Sequence, residues 1–322
     1  MARVLVTGGT GFVGANLVRR LLDDGHAVHL VVRPGSASWR IAELAGRVAF
    51  HAVALTDADA VTGVVRDVRP EWVFHLATHG AYSWETDVRR MIETTVLGTM
   101  HLVQACLAVG FLAFVNTGSS SEYGWKDHPP AETEALDPNS HYAVNKAWAT
   151  HFCRYTALAE GAPIRTLRLY SVYGPWEEPR RLIPTLVVRG MAGVLPPLVG
   201  PDVARDYVYV GDVCEAYLRV AAVPEQPPGA VYNVGTGVQT TLREAVDVVR
   251  STLGITAEPV WGTMPPRRWD TTVWLADVRR ITSLLGWRAE TPFAAGFART
   301  VEWFRADPMR RAFYAERQAA VA

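Results

Sequence analysis

A tyrosine and a lysine four residues apart are the side chains of this sequence best suited to moving a proton. Tyr142 and Lys146 stand at the start of a segment with helical apolar spacing, and residues i and i+4 of a helix share one face. An ordinary phenol has a pKa of about 10 and is a poor base at neutral pH, but a nearby ammonium stabilises the phenolate and lowers that pKa. Such a pair could serve as a general acid/base. The same spacing also arises where a packed tyrosine and a surface lysine have no chemical role.

A serine cluster precedes this pair and strengthens the chemical interpretation. Ser119 and Ser120 follow the apolar run that predicts a strand at Ala113–Thr117. Hydroxyls at the C-terminal end of a parallel strand face the crevice where ligands bind. One of them could donate a hydrogen bond to a substrate oxygen and share a proton with Tyr142. A Ser/Gly loop without chemistry is the alternative.

The N-terminal segment has the pattern that binds dinucleotide phosphates. An apolar run at residues 4–6 leads into three glycines spaced by three and then into helical apolar spacing, which is the context that this fingerprint requires. The glycines permit a tight turn, a close approach to the pyrophosphate and helix–strand packing, and the helix N-terminus offers free N–H groups. The expected cofactor contacts in this turn are Gly8, Thr10, Gly11, Phe12, Val13 and Gly14.

The elements that must position these residues alternate between strand and helix, which predicts an α/β fold with a Rossmann-like, doubly wound parallel sheet. Strands are predicted at Arg3–Thr7, Ala27–Val32, Val48–His51, Trp72–Ala77, Ala113–Thr117 and Ile164–Leu169. Helices are predicted near 12–24, 58–68, 86–109 and 141–160. We assign residues 1–170 to a dinucleotide-binding domain, with later returns near 206–235. Residues 171–322 form mainly a smaller, interleaved C-terminal substrate-binding lobe, with a further strand at Asp206–Val210.

Composition excludes several other classes of protein. The 322 residues carry 32 basic and 32 acidic side chains, so no basic tract indicates nucleic acid. No run approaches the ~20 apolar residues of a membrane span, and the chain leads from its first residues into a strand without room for a signal peptide, so we expect a cytoplasmic protein. The three cysteines are widely spaced. We expect reduced core thiols and no metal site.

Taken together, these motifs resemble those of an extended short-chain dehydrogenase/reductase of the nucleotide-sugar epimerase/dehydratase group. The resemblance covers nearly the whole length. Further matching motifs, in order, are His75-Leu76-Ala77, Ser120–Gly124, Arg168–Pro175, Arg205–Val213, Tyr232–Gly237 and Leu285–Trp287.

The resemblance implies roles for individual residues. Tyr142 would be the acid/base, and Lys146 would lower its pKa and bind the nicotinamide ribose. The family hydroxyl falls on Ser119, or on Ser120 if the loop is one residue shorter. Arg205 matches an arginine that grips the nucleotide moiety, for which a guanidinium fork suits a diphosphate; an ion pair with Asp206 is the alternative. The remaining expected contacts are Asp57, Leu76 and Ala77 for the cofactor, and Thr78, Ser120 and Ser171 for the substrate.

The end of the second strand bears on the choice between NAD and NADP. NAD-binding relatives commonly carry an acidic residue there, whereas this chain has Arg33, with Ser36 and Arg40 nearby. Cations and a hydroxyl suit a 2′-phosphate, so NADP is favoured over NAD. The alternative is that Arg33 is a solvated loop cation.

Three reactions share the scaffold that this resemblance implies. We expect an NAD(P)-dependent nucleotide-diphosphate-sugar epimerase that transfers a hydride transiently at a sugar carbon, C4 being favoured. An NADPH-dependent 4-keto-sugar reductase is the alternative. A 4,6-dehydratase ranks lower, because Glu122 would supply the extra acid only if Ser120 were the hydroxyl, and a non-catalytic dinucleotide-binding module ranks lower too. The expected partners are a nucleotide sugar from carbohydrate biosynthesis and a second copy of the chain, a homodimer formed through helices 86–109 and 141–160.

Overall fold

The computed structural model describes residues 1–36, 39–265 and 270–320. Its main strands are β1 (Arg3–Thr7), β2 (Ala27–Val32), β3 (Ala49–Ala52), β4 (Trp72–His75), β5 (Ala113–Ser119) and β6 (Ile164–Leu169). Shorter strands follow: β7 (Ser171–Tyr173), β8 (Ala204–Arg205), β9 (Tyr207–Tyr209), β10 (Val231–Val234) and β11 (Thr240–Thr241).

Eleven α-helices lie within the described ranges. The first five are α1 (Phe12–Asp23), α2 (Ala58–Val68), α3 (Val88–Met91), α4 (Gly98–Val109) and α5 (His141–Glu160). The others are α6 (Leu182–Gly190), α7 (Val210–Ala222), α8 (Leu242–Leu253), α9 (Arg279–Leu285), α10 (Phe293–Arg305) and α11 (Pro308–Ala319). A π-helical turn, Ile92–Leu97, joins α3 to α4, and 3₁₀ turns lie at Ala42–Leu44 and Ser120–Tyr123.

Seven strands form one parallel sheet in the order β10-β6-β5-β4-β1-β2-β3. The strand order reverses between β1 and β4, so the crevice where ligands of such sheets bind opens at the carboxyl ends of these two strands. The glycine turn after β1 and residues 76–77 after β4 both lie there. The predicted doubly wound parallel sheet is therefore confirmed.

Alternating side chains of each strand build a separate core on each face of the sheet, as the two-residue period of a strand requires. In β1, Val4 and Val6 pack into a core with α1, α7 and α9, whereas Leu5 packs into a second core with α2, α4 and α5. Both faces of the sheet are thus covered by helices.

A third core lies in the C-terminal lobe. It is formed by apolar side chains of α6, α8, α10 and α11. Two small sheets accompany it, the parallel pair β7–β9 and the antiparallel pair β8–β11. The chain returns from this lobe to the main sheet through α7, which packs on α1, and through β10, which pairs with β6.

Two sequence-based expectations differ from the structure in detail. The strand predicted at Asp206–Val210 is present as β9, which is one residue shorter at each end because the carboxylate of Asp206 is buried against a neighbouring loop and α7 begins at Val210. The helical run Val88–Val109 is long and apolar enough to cross a membrane by length and composition alone, although Arg89, Arg90 and Glu93 interrupt its apolar residues. Its buried face belongs to the second core. The three cysteines are free and buried, as expected.

Gly14 offers a direct test of the glycine turn. A Cβ at Gly14 would lie 2.2 Å from the carbonyl oxygen of Gly8, whereas a Cβ at Gly63 in α2 would meet no atom within 4 Å. We expect Gly14→Ala to lower the free energy of unfolding by about 2 kcal/mol or more, because backbone atoms must move apart. Gly63→Ala should raise it by about 0.5–1 kcal/mol. Denaturant titration of both variants without cofactor measures these changes. Equal free energies of unfolding for Gly14→Ala and Gly63→Ala would contradict the close approach of Gly14 to the Gly8 carbonyl.

Candidate active site

The glycine turn forms a cradle whose shape fits a dinucleotide pyrophosphate. Gly8 has a φ of +72°, and a Cβ there would lie 2.6 Å from the amide nitrogen of Ala77. The amide of Gly11 donates to the carbonyl of Gly8 at 2.9 Å. The N-terminus of α1 receives no side-chain cap, so its N–H groups remain available to an anion. Residues Gly8, Gly11, Leu76 and Ala77 are thus brought together at the crevice.

The Tyr142 hydroxyl meets the serine cluster at Ser119. Ser119 is the serine whose side chain acts on the Tyr142 hydroxyl, and its polar interaction lowers the pKa of Tyr142 against the larger, opposing effect of burial. Ser119 ends β5 and its Oγ accepts from the amide of Ser121 at 3.1 Å, while the Ser140 side chain caps α5 just before Tyr142. Ser120 is also buried, but it lines a small cleft with Tyr123, Lys126, Tyr170 and Trp274. The geometry therefore favours Ser119 over Ser120 as the partner of Tyr142.

Lys146 reaches the same site from the next turn of α5. Its Nζ donates to the carbonyl of Thr117 at 2.8 Å and lies 6.0 Å from the centroid of the Tyr142 ring. Burial lowers the pKa of Lys146 to about 8.

Burial of Tyr142 opposes the acidification that Lys146 is expected to cause. Burial raises the pKa of Tyr142 to about 12, although the Ser119 side chain acts in the opposite direction. The reason is that removal from water disfavours the phenolate more than the surrounding dipoles and charges favour it. Tyr142 is therefore a neutral phenol at pH 7, able to donate its proton.

A buried polar network underlies the serine cluster. The Glu122 carboxylate, fully buried, accepts from the amide of Ser119 at 2.8 Å, from Thr150 Oγ1 at 3.0 Å and from Arg168 Nε at 2.7 Å. Arg168 also donates to the Tyr123 hydroxyl at 2.8 Å, and this hydroxyl donates to Asn233 on β10. The network ties the serine turn to β6 and β10. Sequence reasoning did not find it; the available signal was an arginine within the apolar strand β6.

The substrate side of the crevice contains Arg205. Its Nη1 donates to the carbonyl of Ala204 at 2.7 Å, and its Nη2 lies 3.5 Å from Asp270. The alternative of an ion pair with Asp206 is wrong, because the two oxygens of Asp206 accept from the amides of Thr236, Gly237 and Ala276. Arg205 also faces the Trp274 ring, 5.5 Å from its centroid.

The remaining candidate residues occupy varied positions. Thr78 shares a hydroxyl–hydroxyl hydrogen bond with Thr95 at 3.1 Å, and the Ser171 amide donates to the carbonyl of Asp206. Asp57 caps α2 by accepting from the amide of Ala60. Arg33 is exposed directly after β2, and Ser36 is half-buried.

Arg40 is not available to a 2′-phosphate. It is buried, donates to the carbonyl of Trp176 at 2.7 Å and pairs with Glu178. His75 is a structural residue, since its two ring nitrogens bond Thr7 and Thr99 and burial lowers its pKa to about 3.

Comparison with known proteins agrees with this geometry. Residues 4–235 match the model of the NAD-dependent epimerase/dehydratase family. A UDP-glucose 4-epimerase from Mycolicibacterium smegmatis is 32% identical over 94% of this chain and 98% of its own length. A dTDP-glucose 4,6-dehydratase from Shigella flexneri is 27% identical over 95% and 93%. The structure of a Thermus thermophilus UDP-glucose 4-epimerase in complex with NAD superposes with a TM-score of 0.82, at 30% identity over 94% and 99% of the two chains.

The buried network generates a prediction for stability. Arg168→Met leaves the Glu122 carboxylate buried without its cation, and breaking such a pair costs about 3–5 kcal/mol of unfolding free energy. Burial already raises the pKa of Glu122, and the substitution raises it further. Because the folded protein then binds the proton more tightly than the unfolded chain, the loss should be larger at pH 8 than at pH 5.

The double variant Arg168→Met/Glu122→Gln is the matched control. The neutral amide removes the uncompensated charge, so the double variant should be more stable at pH 8 than Arg168→Met and should lose most of the pH dependence. Denaturant titrations at both pH values measure this. Equal losses for the single and double variants at pH 8 would contradict the ion-pair account.

Proposed function

The chain belongs to the NAD-dependent epimerase/dehydratase family, and on that premise we propose that it is a nucleotide-diphosphate-sugar epimerase acting at C4 of the sugar. The observation that carries the proposal is that α5 and the carboxyl end of β5 meet at one site: Lys146 Nζ donates to the carbonyl of Thr117 at 2.8 Å, two residues before Ser119, and Tyr142 lies one turn before Lys146 on α5. The similarity to UDP-glucose 4-epimerases supports the same reaction.

The chain's own residues would supply binding and proton transfer. The glycine turn and the N-terminus of α1 would hold the pyrophosphate, and Lys146 would bind the nicotinamide ribose. When bound, the nicotinamide supplies a hydride acceptor that can return the hydride. Tyr142 would take the proton of the sugar hydroxyl as that carbon is oxidised, and Ser119 would donate a hydrogen bond to the same oxygen. Epimerisation would be complete when the sugar carbon had regained its hydrogen from the opposite face and Tyr142 had returned the proton to the oxygen.

Tyr142 must lose its proton in the first half of this reaction, so its surroundings must change from those of the free protein. Burial alone holds the pKa of Tyr142 near 12 and that of Lys146 near 8. Lys146 is therefore cationic at pH 7 and favours the phenolate. A positively charged oxidised nicotinamide next to the ring acts in the same direction.

Dehydration is disfavoured by the state of Glu122. A 4,6-dehydratase needs an additional acid beside the active hydroxyl, and the position counted from Ser119 is Ser121. Both oxygens of Glu122 are already engaged in the buried network. A 4-keto-sugar reductase would use the same Tyr142 and Lys146, but it would consume its reduced cofactor, and this consumption distinguishes it from an epimerase.

The cofactor preference can be tested at Arg33. With Arg40 bonded to Trp176 and Glu178, the case for NADP rests on the exposed Arg33 and on Ser36. Arg33→Asp should weaken NADP binding and favour NAD, because a carboxylate repels a 2′-phosphate and accepts from a ribose hydroxyl. Calorimetric titration with both cofactors measures the ratio of affinities. An unchanged ratio would contradict the role of Arg33.

We propose a homodimer through an apolar stripe of α5 and the adjoining helix. Val144, Trp148, Tyr155 and Leu158 are exposed on α5, and Ile92 is exposed beside them. Trp148→Glu should convert the dimer to monomer in sedimentation velocity, since it places a charge in a buried apolar contact. Phe50→Glu on β3, with a similarly exposed ring, is the control. A dimer that persists in Trp148→Glu would contradict this interface.

The catalytic assignment is tested by substitution of Tyr142 and of the two serines. Tyr142→Phe should keep cofactor affinity and lose turnover by several orders of magnitude, and Ser119→Ala should lose about 10²–10⁴-fold. Ser120→Ala should lose less than Ser119→Ala. NMR analysis of products from UDP- and dTDP-hexoses, together with absorbance at 340 nm, identifies the reaction. Ordinary turnover by Tyr142→Phe would overturn the mechanism. Steady consumption of reduced cofactor by the wild-type protein would show that it is a reductase and not an epimerase.

A further inference from the structure

The loop that follows β2 is in contact with the last helix of the chain. Residues 33–36 and 39–41, called the β2 loop below, begin directly after that strand. The ring centroid of Trp39 in this loop lies 4.9 Å from that of Phe313 and 5.9 Å from that of Tyr314. Two neighbouring residues of α11 thus pack on one ring of the cofactor domain.

A second segment, residues 175–181, called the strap below, runs between β7 and α6 and lies against both partners. Its carbonyl groups accept hydrogen bonds from side chains of the β2 loop and of α11. The pairs are Arg40 Nε to Trp176 at 2.7 Å, the Tyr314 hydroxyl to Glu177 at 2.8 Å and Gln318 Nε2 to Pro179 at 2.7 Å. Arg40 also pairs with Glu178 at 3.3 Å, and the ring centroids of Trp39 and Trp176 lie 6.0 Å apart. The β2 loop, the strap and α11 therefore form one continuous set of contacts.

The strap contains a backbone conformation that needs this support. Trp176 has a φ of +69°, and a non-glycine residue persists in this left-handed region only when the surrounding structure holds it there. Its ring faces the guanidinium of Arg19 on α1, 4.1 Å from the centroid, and that of Arg310 on α11, at 5.6 Å. Asn16 Nδ2, also on α1, donates to the carbonyl of Pro175 at 2.9 Å. The strap is thus held between α1 and α11.

The β2 loop and α1, which both meet this set of contacts, are the elements expected to receive the adenosine half of a dinucleotide. In a sheet of this type the residues after the second strand contact the adenosine ribose, and the N-terminus of the first helix binds the pyrophosphate. Arg33 begins the β2 loop, and Asn16 lies about one turn from the first residue of α1. Both contact surfaces are therefore supported by a helix that begins only at Pro308.

We propose that α11 is a positioning element of the cofactor site, in which Phe313 and Tyr314 hold the β2 loop and the strap in the conformation that binds the adenosine half of NAD(P). The inference rests on the proposed function, because it takes the cofactor position that the glycine turn indicates. A loop that is ordered only part of the time binds its ligand with an affinity reduced by that fraction. By linkage, cofactor binding must then stabilise the contacts of α11 in return.

The first test is the affinity for NAD and for NADP, measured by calorimetric titration of the cofactor-free protein. Phe313→Ala removes the ring that packs on Trp39 and should weaken binding about tenfold, as for a β2 loop ordered about a tenth of the time. Tyr314→Phe removes only the hydrogen bond to Glu177 and should weaken binding about three- to fivefold. Both cofactors should be affected by the same factor, because α11 positions the loop and does not bind the 2′-phosphate, whereas Arg33→Asp changes the ratio.

Met309→Ala is the matched control. Met309 belongs to the same helix and is 77% exposed, so its truncation should leave both affinities at the wild-type value. At saturating cofactor, kcat of all three variants should stay near that of wild type, because the substitutions raise KM for the cofactor and do not touch the reacting groups. Thermal unfolding of each variant without cofactor separates a global loss of stability from the local effect.

Hydrogen–deuterium exchange gives a readout that a purely structural role of α11 would leave unchanged. In the wild-type protein, NAD should slow exchange of the backbone amides of residues 308–319. In the cofactor-free protein, Phe313→Ala should speed exchange within residues 39–44 and 175–181. The wild-type measurement needs no variant, so it decides the question even if Phe313→Ala does not fold.

Two results would contradict the inference. Wild-type affinities in both Phe313→Ala and Tyr314→Phe would show that α11 does not position the β2 loop, and exchange within α11 that NAD does not slow would show that the helix is not coupled to the cofactor site. Failure of the proposed function is a different observation, namely ordinary turnover by Tyr142→Phe or no turnover of nucleotide sugars by wild type. Neither depends on the cofactor affinity of the α11 variants.

Discussion

The burial of Lys146 and the partial burial of Tyr142 are the constraint on which the rest of this active site depends. Burial pushes the two groups in opposite directions: it raises the pKa of Tyr142 to about 12 and lowers that of Lys146 to about 8. Both shifts favour the neutral forms. A proton can move at neutral pH only if fixed dipoles and charges compensate. The Thr117 carbonyl accepts from Lys146, and the Ser119 side chain lowers the pKa of Tyr142 against the effect of burial. Both Tyr142 and Lys146 thus belong to α5, but the polar groups that act on them, Ser119 and the Thr117 carbonyl, belong to β5.

The position of β5 depends in turn on a buried ion pair and its hydrogen-bond partners. Glu122 and Arg168 are both nearly inaccessible to water, and their hydrogen bonds link the serine turn to β6 and, through Tyr123, to Asn233 on β10. A buried ion pair contributes little net stability but penalises any arrangement that separates its members. It therefore specifies the conformation of the serine turn. The return of the chain to the sheet at β10 completes this support, which makes residues beyond 200 necessary to a site built mainly within the first 150.

The parts that could be predicted from the sequence are those governed by local periodicity and spacing. Apolar alternation and the glycine turn predicted the sheet, and the Tyr142–Lys146 spacing predicted one helix face. Long-range contacts could not be predicted: Arg40 bonds Trp176 136 residues away, and Tyr314 bonds Glu177 at a separation of 137. The choice between Ser119 and Ser120 needed the positions of the two side chains, since Ser120 lines a separate small cleft. The effect of burial on the pKa of Tyr142 could not be predicted, because spacing shows a neighbouring charge but not the extent of burial.

The central claim is that Tyr142 is a neutral phenol in the free protein and becomes ionisable near neutral pH only when the crevice is filled. The most direct test is ¹³C NMR of protein labelled at tyrosine Cζ, with the Tyr142 resonance assigned by its absence from Tyr142→Phe and titrated with and without NAD. The account predicts no ionisation below about pH 10 in the free protein and a midpoint lower by about 1–3 pH units with the oxidised cofactor bound. A midpoint that does not change on cofactor binding, or a phenolate already present at pH 7 in the free protein, would contradict it.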